Sequence, residues 1–379
     1  MEPTIRPLIA SLHEIPDPRY SRGRRHPLVA MLALVCVAMR CGYRSSSAMA
    51  EWGRCDGQTL ARALGFTQAK APCAATLSQV LRQRDGNVVE ATRGAWAASV
   101  LTTLPPVPGE LAVRAIDGNT LRGRRPQGAP AVHRLSVLSH RLGLPLWPPA
   151  VADKPHASPV PADGWRELVV EGRVMTVDAL RTQRAIADRI VQGGGDDVMP
   201  GTGNQPQLQH AIQLVFHAPH LLAETMATAE TVASGHGRLE QRRLTASSGR
   251  VGYSDWPGLA QAFQVARAVI MQKSGEHRHE GVDGVTSLSQ AQAGPGRRLS
   301  LVRQHWSSED KSHGVREVTV DEDRAQGRCG SIPQVMAACR NTARGWMHCA
   351  GETNIAAACR RVAAKPWAAL ALSGLIPQN

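Results

Sequence analysis

Aromatic residues are scarce in this chain, with three Phe, three Tyr and eight Trp among 379 residues. Leu, Val and Ala must therefore carry the packing. The eight cysteines include no Cys-x-x-Cys pair and no Cys/His spacing of zinc type, which excludes the common zinc modules. Cys329, Cys339, Cys349 and Cys359 recur every ten residues, close to three helical turns, and read as thiols buried on helices in a reducing cytoplasm. Long apolar runs are missing too. The longest, Leu28 to Met39, is too short to cross a bilayer and too far inside for an ordinary signal peptide. A soluble, cytoplasmic protein without a membrane partner is expected. Acids are outnumbered, 31 Asp and Glu against 44 Lys and Arg, giving a formal net charge of +13 and a pI near 10.0. That balance favours a polyanionic partner, nucleic acid ahead of membrane. The length predicts two or three domains, and the 42% apolar fraction is enough for real cores.

Residues 1–104 read as a helical domain. Ile5 to Leu12 is a short amphipathic segment, broken by Ile15-Pro16-Asp17-Pro18-Arg19 because each proline restricts its neighbour. Arg22, Arg24, Arg25 and His26 form a basic cluster before Pro27. Leu28 to about Arg40 is apolar on nearly every side and predicts a buried helix. Ser45–Trp52, Gln58–Leu64 and Pro72–Leu81 predict further short helices, with Gly65 as a C-cap. A short helix, a glycine-bearing turn and a second helix are compatible with helix-turn-helix DNA binding, although most small helical domains contain such a pair. Thr102 to Pro108, with its prolines, reads as a linker.

Glu110 to Arg125 follows, reading ELAVRAIDGNTLRGRR. An apolar run leads to Asp117, then to Gly118-Asn119 and the cluster Arg122, Arg124 and Arg125. A carboxylate ending a buried strand can hold a divalent cation, and arginines beyond it can hold a polyanion. The plainer reading is an Asp-Gly hairpin turn with solvated arginines. The pattern returns at Arg173-Val174-Met175-Thr176-Val177-Asp178, before a helix from Thr182 to about Val191 that Gly193-Gly194-Gly195 ends. Strand, Asp, helix is how α/β sheets present ligands at strand C-termini. The alternative makes Asp178 the N-cap of that helix.

His236-Gly237-Arg238-Leu239-Glu240-Gln241-Arg242 is a compact basic motif before another strand-like stretch. From Arg303 the spacing turns helical, and His305, Glu309, His313 and Arg316 share one face. A solvated helix is the plainer account of that face. Glu317, Asp321, Glu322 and Asp323 are rival metal ligands just beyond. Ile332 to Leu375 reads as two or three amphipathic helices.

Together these residues resemble the DDE transposases of bacterial insertion sequences, in the H-repeat-associated (ISAs-type) group. The resemblance runs from about Leu8 to Leu375. It rests on Ile15-Pro16-Asp17-Pro18-Arg19 with Gly23-Arg24-Arg25-His26-Pro27, on Asp117-Gly118 with Thr120-Leu121-Arg122-Gly123, and on Asp178-Ala179-Leu180 with Thr182-Gln183. Gly203-Asn204-Gln205-Pro206, His236-Gly237-Arg238 with Glu240 and Arg242, and His305-Trp306 with Glu309 follow in order. Glu322-Asp323-Arg324 and Pro333-Gln334-Val335-Met336-Ala337 with Arg340-Asn341 complete it.

The resemblance implies an α/β fold. A ribonuclease H-like core with a mostly β insertion at about 206–298 would fill a catalytic domain over 109–379, between the helical N-terminal domain and C-terminal helices. It implies Asp117, Asp178 and Glu309 as the catalytic acids and as ligands of two Mg²⁺ ions, with Mn²⁺ as a substitute. Arg122, Arg124, Arg125, His236, Arg238, His305 and Arg316 would bind DNA. The implied activity is transposition, with cleavage at the element ends followed by strand transfer. The partners would be double-stranded terminal inverted repeats and target DNA, met as a homodimer at the nucleoid. The chain departs from the family pattern at Pro155-His156-Ala157-Ser158-Pro159, Arg181, Thr202, Ser308, Ser312 and Gly314. These departures predict slow or absent cutting. Two other readings use the same residues: a non-catalytic DNA-binding remnant of a transposase, and a stand-alone nuclease.

Overall fold

The computed structural model describes residues 8–55, 57–103, 111–120, 133–141, 144–146, 150–152, 170–201, 205–217, 225–235, 237–249, 255–314, 329–352, 354–365, 367 and 370. In chain order the helices α1 (Leu8–Leu12), α2 (Leu28–Arg40), α3 (Ser46–Cys55), α4 (Gly57–Ala63), α5 (Ala74–Arg82) and α6 (Gly86–Thr103) come first. Strands β1 (Val113–Thr120), β2 (His133–Ser139), β3 (Leu144–Pro145), β4 (Ala150–Ala152) and β5 (Val174–Val177) follow. Next come α7 (Arg184–Gln192), β6 (Asp196–Gly201), α8 (Pro206–His217), β7 (Met226–Gly235), β8 (Arg238–Ser247), β9 (Gln261–Met271) and β10 (His277–Thr286). Helices α9 (Pro295–Gly314), α10 (Ile332–Cys349) and α11 (Ile355–Ala363) complete the described chain. Among the described residues no helix is long and apolar enough to cross a membrane.

The chain divides into two compact units, one of Met1–Pro108, Thr120–Pro149 and Asp310–Asn379, the other of Gly109–Asn119 and Ala150–Glu309. In the first, helical unit, α2 is buried along its length, Val29 excepted. An apolar helix of this kind can only be stable at the centre of a core. Gly53 lets α3 close onto it, since a Cβ there would meet Leu34 Cδ1 at 2.8 Å. Gly65, with φ +92°, ends α4 in the left-handed conformation, as a C-cap glycine does. Helix α10 adds Val335, Met336, Cys339, Ala343 and Trp346 to the same core, and Trp96 meets Trp346 edge to face at 6.0 Å. The C-terminal helices, expected to trail a catalytic domain, therefore complete the helical unit. The physical reason is the α10 apolar stripe, which recurs at three- and four-residue spacing and finds its cover on α2 and α6.

The second unit is a mixed α/β layer. Its sheet runs in the order β1-β5-β6-β10-β9-β8-β7. β1, β5 and β6 are mutually parallel, and β10 turns antiparallel against β6. β7 to β10 then form an antiparallel meander. Helix α9 lays Leu299, Leu301 and Val302 into one core with Val174, Val198, Leu244, Phe263 and Val265. A loop-like opening hides β6 in the sequence: Asp196-Asp197 begins it and Pro200-Gly201 ends it.

Candidate active site

The site is set by parallel register. β1 pairs β5 with Val113 opposite Val174 and Ile116 opposite Val177. The Asp178 backbone N–H then donates to the Ile116 carbonyl at 3.4 Å. Continued by one residue, the register sets positions 117 and 178 side by side at the C-terminal edge of the parallel strands. The hairpin reading of Asp117-Gly118 does not hold, because both residues lie within β1. Nor does Asp178 cap α7, which begins at Arg184 with Gln183 at its N-cap.

Asp178 is half-buried and leaves β5 through a tight turn in which the Arg181 N–H donates to its carbonyl at 2.9 Å. Thr182 fixes that turn. Its hydroxyl is buried and donates to the Pro200 carbonyl of β6 at 2.6 Å. A motif threonine thus acts by clamping the loop that carries the acid onto the neighbouring strand.

Glu309 lies on α9, which starts earlier than its spacing alone predicted because Pro295 supplies a first-turn residue. Four residues before it, His305 meets Thr176 of β5, with Nδ1 and Oγ1 2.8 Å apart. His305 is only 3% exposed. This corrects its expected place at a DNA surface: it pins α9 to the strand that ends in Asp178. Polar neighbours on the helix concealed that role, since no sequence period marks a histidine as buried.

The side chains of Asp117 and Glu309 lie outside the described residues, as do Arg122, Arg124, Arg125, His236 and Arg316. Among the described residues no group of three His, Cys, Asp or Glu gathers to hold a metal. Asp178, half-buried at a strand end, carries the hard carboxylate oxygens that a divalent cation takes.

Arg238 is exposed at the start of β8. β10 leaves β6 at the Asp283–Gly201 pair, so the stretch from there back to His277 overhangs the edge where β5 ends. At roughly 3.4 Å per residue the meander rises about 20 Å beyond that edge. Two arginines, Arg242 and Arg267, face each other across it, an arrangement that would ordinarily repel. Glu240 resolves it by pairing with Arg242 at 2.7 Å and with Arg267, while Arg267 also reaches Glu280 at 2.7 Å. Burial pushes the Glu240 carboxyl up, but Arg267 and Arg242 prevail and hold it below the ordinary value. Gly237, at φ +71°, makes the tight turn between β7 and β8. The basic motif is therefore a hairpin tip with its own internal counter-ion.

One acid escaped notice in the sequence. Asp197 is 1% exposed, and burial pushes its carboxyl up to about 7. Its Oδ1 accepts from the Ser287 N–H at 3.1 Å, and Oδ2 has no partner among the described residues. It pairs with Met175 near the opposite end of β5 from Asp178, so it belongs to the sheet and not to the site.

The chain has relatives among known proteins. Residues 9–97 match the DDE_Tnp_1-associated family model. The chain is 25% identical over 346 residues to "Putative transposase YncI" of Escherichia coli O157:H7, covering 90% of this chain and 87% of that protein. It is 29% identical over 258 residues to "Uncharacterized protein in dhlA 3'region" of Xanthobacter autotrophicus, covering 66% and 85%. It is 24% identical over 239 residues to "H repeat-associated putative transposase YhhI" of Escherichia coli strain K12, covering 61% and 62%. These likenesses support kinship with the H-repeat-associated DDE transposases.

Proposed function

We propose that this chain binds the ends of an insertion sequence and carries out metal-dependent cleavage and strand transfer with Asp117, Asp178 and Glu309. The parallel β1–β5 register is the observation that carries this reading, since it brings the backbones of positions 117 and 178 together at a strand edge. The His305–Thr176 contact supports the third member, because it fixes the helix of Glu309 against the same strand. The parallel strands β1, β5 and β6, with α7 between the last two and α8 after β6, support a ribonuclease H-like core.

The three carboxylates would hold the divalent cations. Such cations supply activation of an attacking water or 3′-hydroxyl and neutralise charge at the phosphodiester. The chain's own residues do the rest. Thr182 and His305 hold the acid-bearing turn and helix still, which matters because small misplacements of catalytic groups are costly. Arg122, Arg124, Arg125 and Arg316 would bind the phosphates flanking the scissile bond, and Arg238 and His236 at the overhanging hairpin would grip DNA further along. Binding of this kind weakens steeply with salt. A homodimer would bring two ends together.

The test is cleavage of duplexes taken from the two flanks of the gene, with Mg²⁺, with Mn²⁺ and with chelator. Metal-dependent nicking at a fixed position, lost in Asp178→Asn, is the expected result. Salt-sensitive binding with no cutting under any metal would favour the remnant reading, which the changes at Thr202, Ala157 and Gly314 already support.

A further inference from the structure

The motif residues Pro18, Arg19, Gly23, Arg25 and His26 take no part in the chemistry above, yet they line a cleft in the helical unit. This is an open cleft of about 800 Å³ whose lining includes Arg19, Arg25, Arg54, Lys70 and Arg84 and no Asp or Glu. Asp17 stands behind the wall. It accepts from Arg19 Nε at 2.9 Å and Nη2 at 2.7 Å and faces Arg84 Nη1 at 3.5 Å. One carboxylate therefore orders the arginines and leaves the cleft with a surplus of positive charge.

A further observation points to a ligand. Ala69, at φ +49°, is the one non-glycine residue with positive φ among those described. It stands immediately before Lys70, where strain of this type commonly marks function. The field in the cleft is also felt by His26, whose imidazole is held below its usual value by burial and then by Arg25, Arg19, Arg54 and Lys70.

Helix α5 forms the adjoining wall. Its buried face is Leu77, Val80 and Leu81, and Thr76, Gln79 and Gln83 line the cleft. Those three are spaced three and four apart and form one polar stripe. Cations that converge beside a stripe of hydrogen-bonding side chains match the division of labour at a protein–DNA contact, in which phosphate contacts position and base contacts specify. Inorganic phosphate would use the cations and leave the stripe idle.

We infer that this cleft is a duplex-DNA site in which the exposed Arg25, Arg54 and Lys70 hold the phosphate backbone while Gln79 of α5 and Gln83 just past its end face base edges. The inference rests on the transposase reading only for the origin of that DNA, the element ends.

The experiment is fluorescence anisotropy of the full-length protein without divalent metal, titrated onto a duplex from one flank of the gene and onto a scrambled duplex of equal composition. In Arg25→Ala with Lys70→Ala, affinity for both duplexes should fall about tenfold or more, and the log–log salt slope by about 0.9 for each lost contact. Both side chains are exposed, so the fold should survive, as an unchanged melting temperature would confirm. Arg25→Lys with Lys70→Arg should restore the slope even if the double alanine variant proves unstable. Gln79→Ala should leave the slope alone and narrow the preference for the flank duplex. Arg360→Ala, at an exposed position on α11, should bind as the parent does. An unchanged slope in the double variant would overturn the cleft, as would tighter binding of single strands or full displacement by millimolar inorganic phosphate. Because cutting is assayed separately, wild-type cleavage with an unaffected cleft variant defeats this inference alone. Cleft-dependent binding without cutting defeats the catalytic reading alone.

Discussion

Asp17 in the helical unit and Asp197 in the sheet unit are both acids away from the solvent front, and they meet opposite surroundings. Asp17 is flanked by Arg19, Arg24 and Arg84, and hydrogen bonding from Arg19 holds it below the ordinary carboxylate range. Asp197 has no cation among its described partners, and burial drives it up to about 7. The helical unit keeps its acid charged to order a group of arginines that outnumber it. The sheet unit buries its acid near neutrality as a strand-to-strand tie. On the proposed function the difference suggests where a polyanion would sit: beside the surplus cations of the first unit and along the basic hairpin of the second, with the half-buried Asp178 at a strand edge.

If binding and cutting divide in this way, substitutions should separate them. Asp178→Ala should lower cleavage by about 10³-fold or more, as losses of essential catalytic groups do, while flank-duplex affinity stays within about twofold. Loss of both together in a folded variant would break the division. The check is single-turnover cleavage at equal DNA occupancy.

Asp197→Asn comes next in size and probes stability. The folded carboxyl, near 7, lies above its unfolded value of about 3.9. The stability it confers is therefore complete below about pH 4 and is lost as pH rises through about 7, a span worth about 4 kcal/mol. Asparagine keeps an acceptor for the Ser287 N–H and cannot ionise. Urea unfolding of the sheet unit at pH 5 and pH 8 should show a steep change in the wild type and a shallow one in the variant. Equal pH dependence would mean that Asp197 is ionised in the fold.

Much of this was legible in the sequence for simple reasons. Leu28–Arg40 announces burial because no face of it is polar, and Val174–Val177 announces a strand because apolar residues run straight into an acid. Gly65 announces its turn. Strand β6 was not legible, because two acids open it and Pro-Gly ends it, and only the burial of Asp197 makes it a central strand. The DNA cleft was not legible either. Its cations come from residues 19–25, 54, 70 and 84, and their convergence is a property of how α3, α5 and the Pro-rich turn pack. His305 misled for a related reason: an acid four residues on made it look like part of a charged face.

His305 supplies the third separation. Thr176→Val removes its partner at nearly constant volume, leaving a buried ring nitrogen without its bond. Helix α9 should then hold Glu309 less well, and the cleavage step should slow by about 10–100-fold with DNA affinity unchanged. Thr176→Ser keeps the hydroxyl and should recover most of the rate. A purely structural role would instead lower stability in both variants alike and leave the rate per folded molecule untouched.

Asp17→Asn is the smallest effect and the most discriminating, because stability and binding should move in opposite directions. The folded carboxyl lies below its unfolded value. Its contribution is present above about pH 4 and is lost as pH falls through the folded value, the reverse of Asp197. Asparagine keeps one acceptor for Arg19 and gives up the charge-assisted part of the pairing, a loss of about 1–2 kcal/mol at pH 7. The same change leaves the cleft one unit more positive. Phosphate binding there should therefore hold or tighten slightly, with a salt slope equal to or greater than that of the parent. Amide exchange of the helical unit and anisotropy on the scrambled duplex measure the two effects in one preparation. If stability and affinity both fell, Asp17 would act on DNA through the geometry it imposes on Arg19 and Arg84. If neither changed, the arginines would be held by the backbone carbonyls of Asp17, Arg19, Gly23, His26 and Val80 that they also reach, and the acid would not be what orders the cleft.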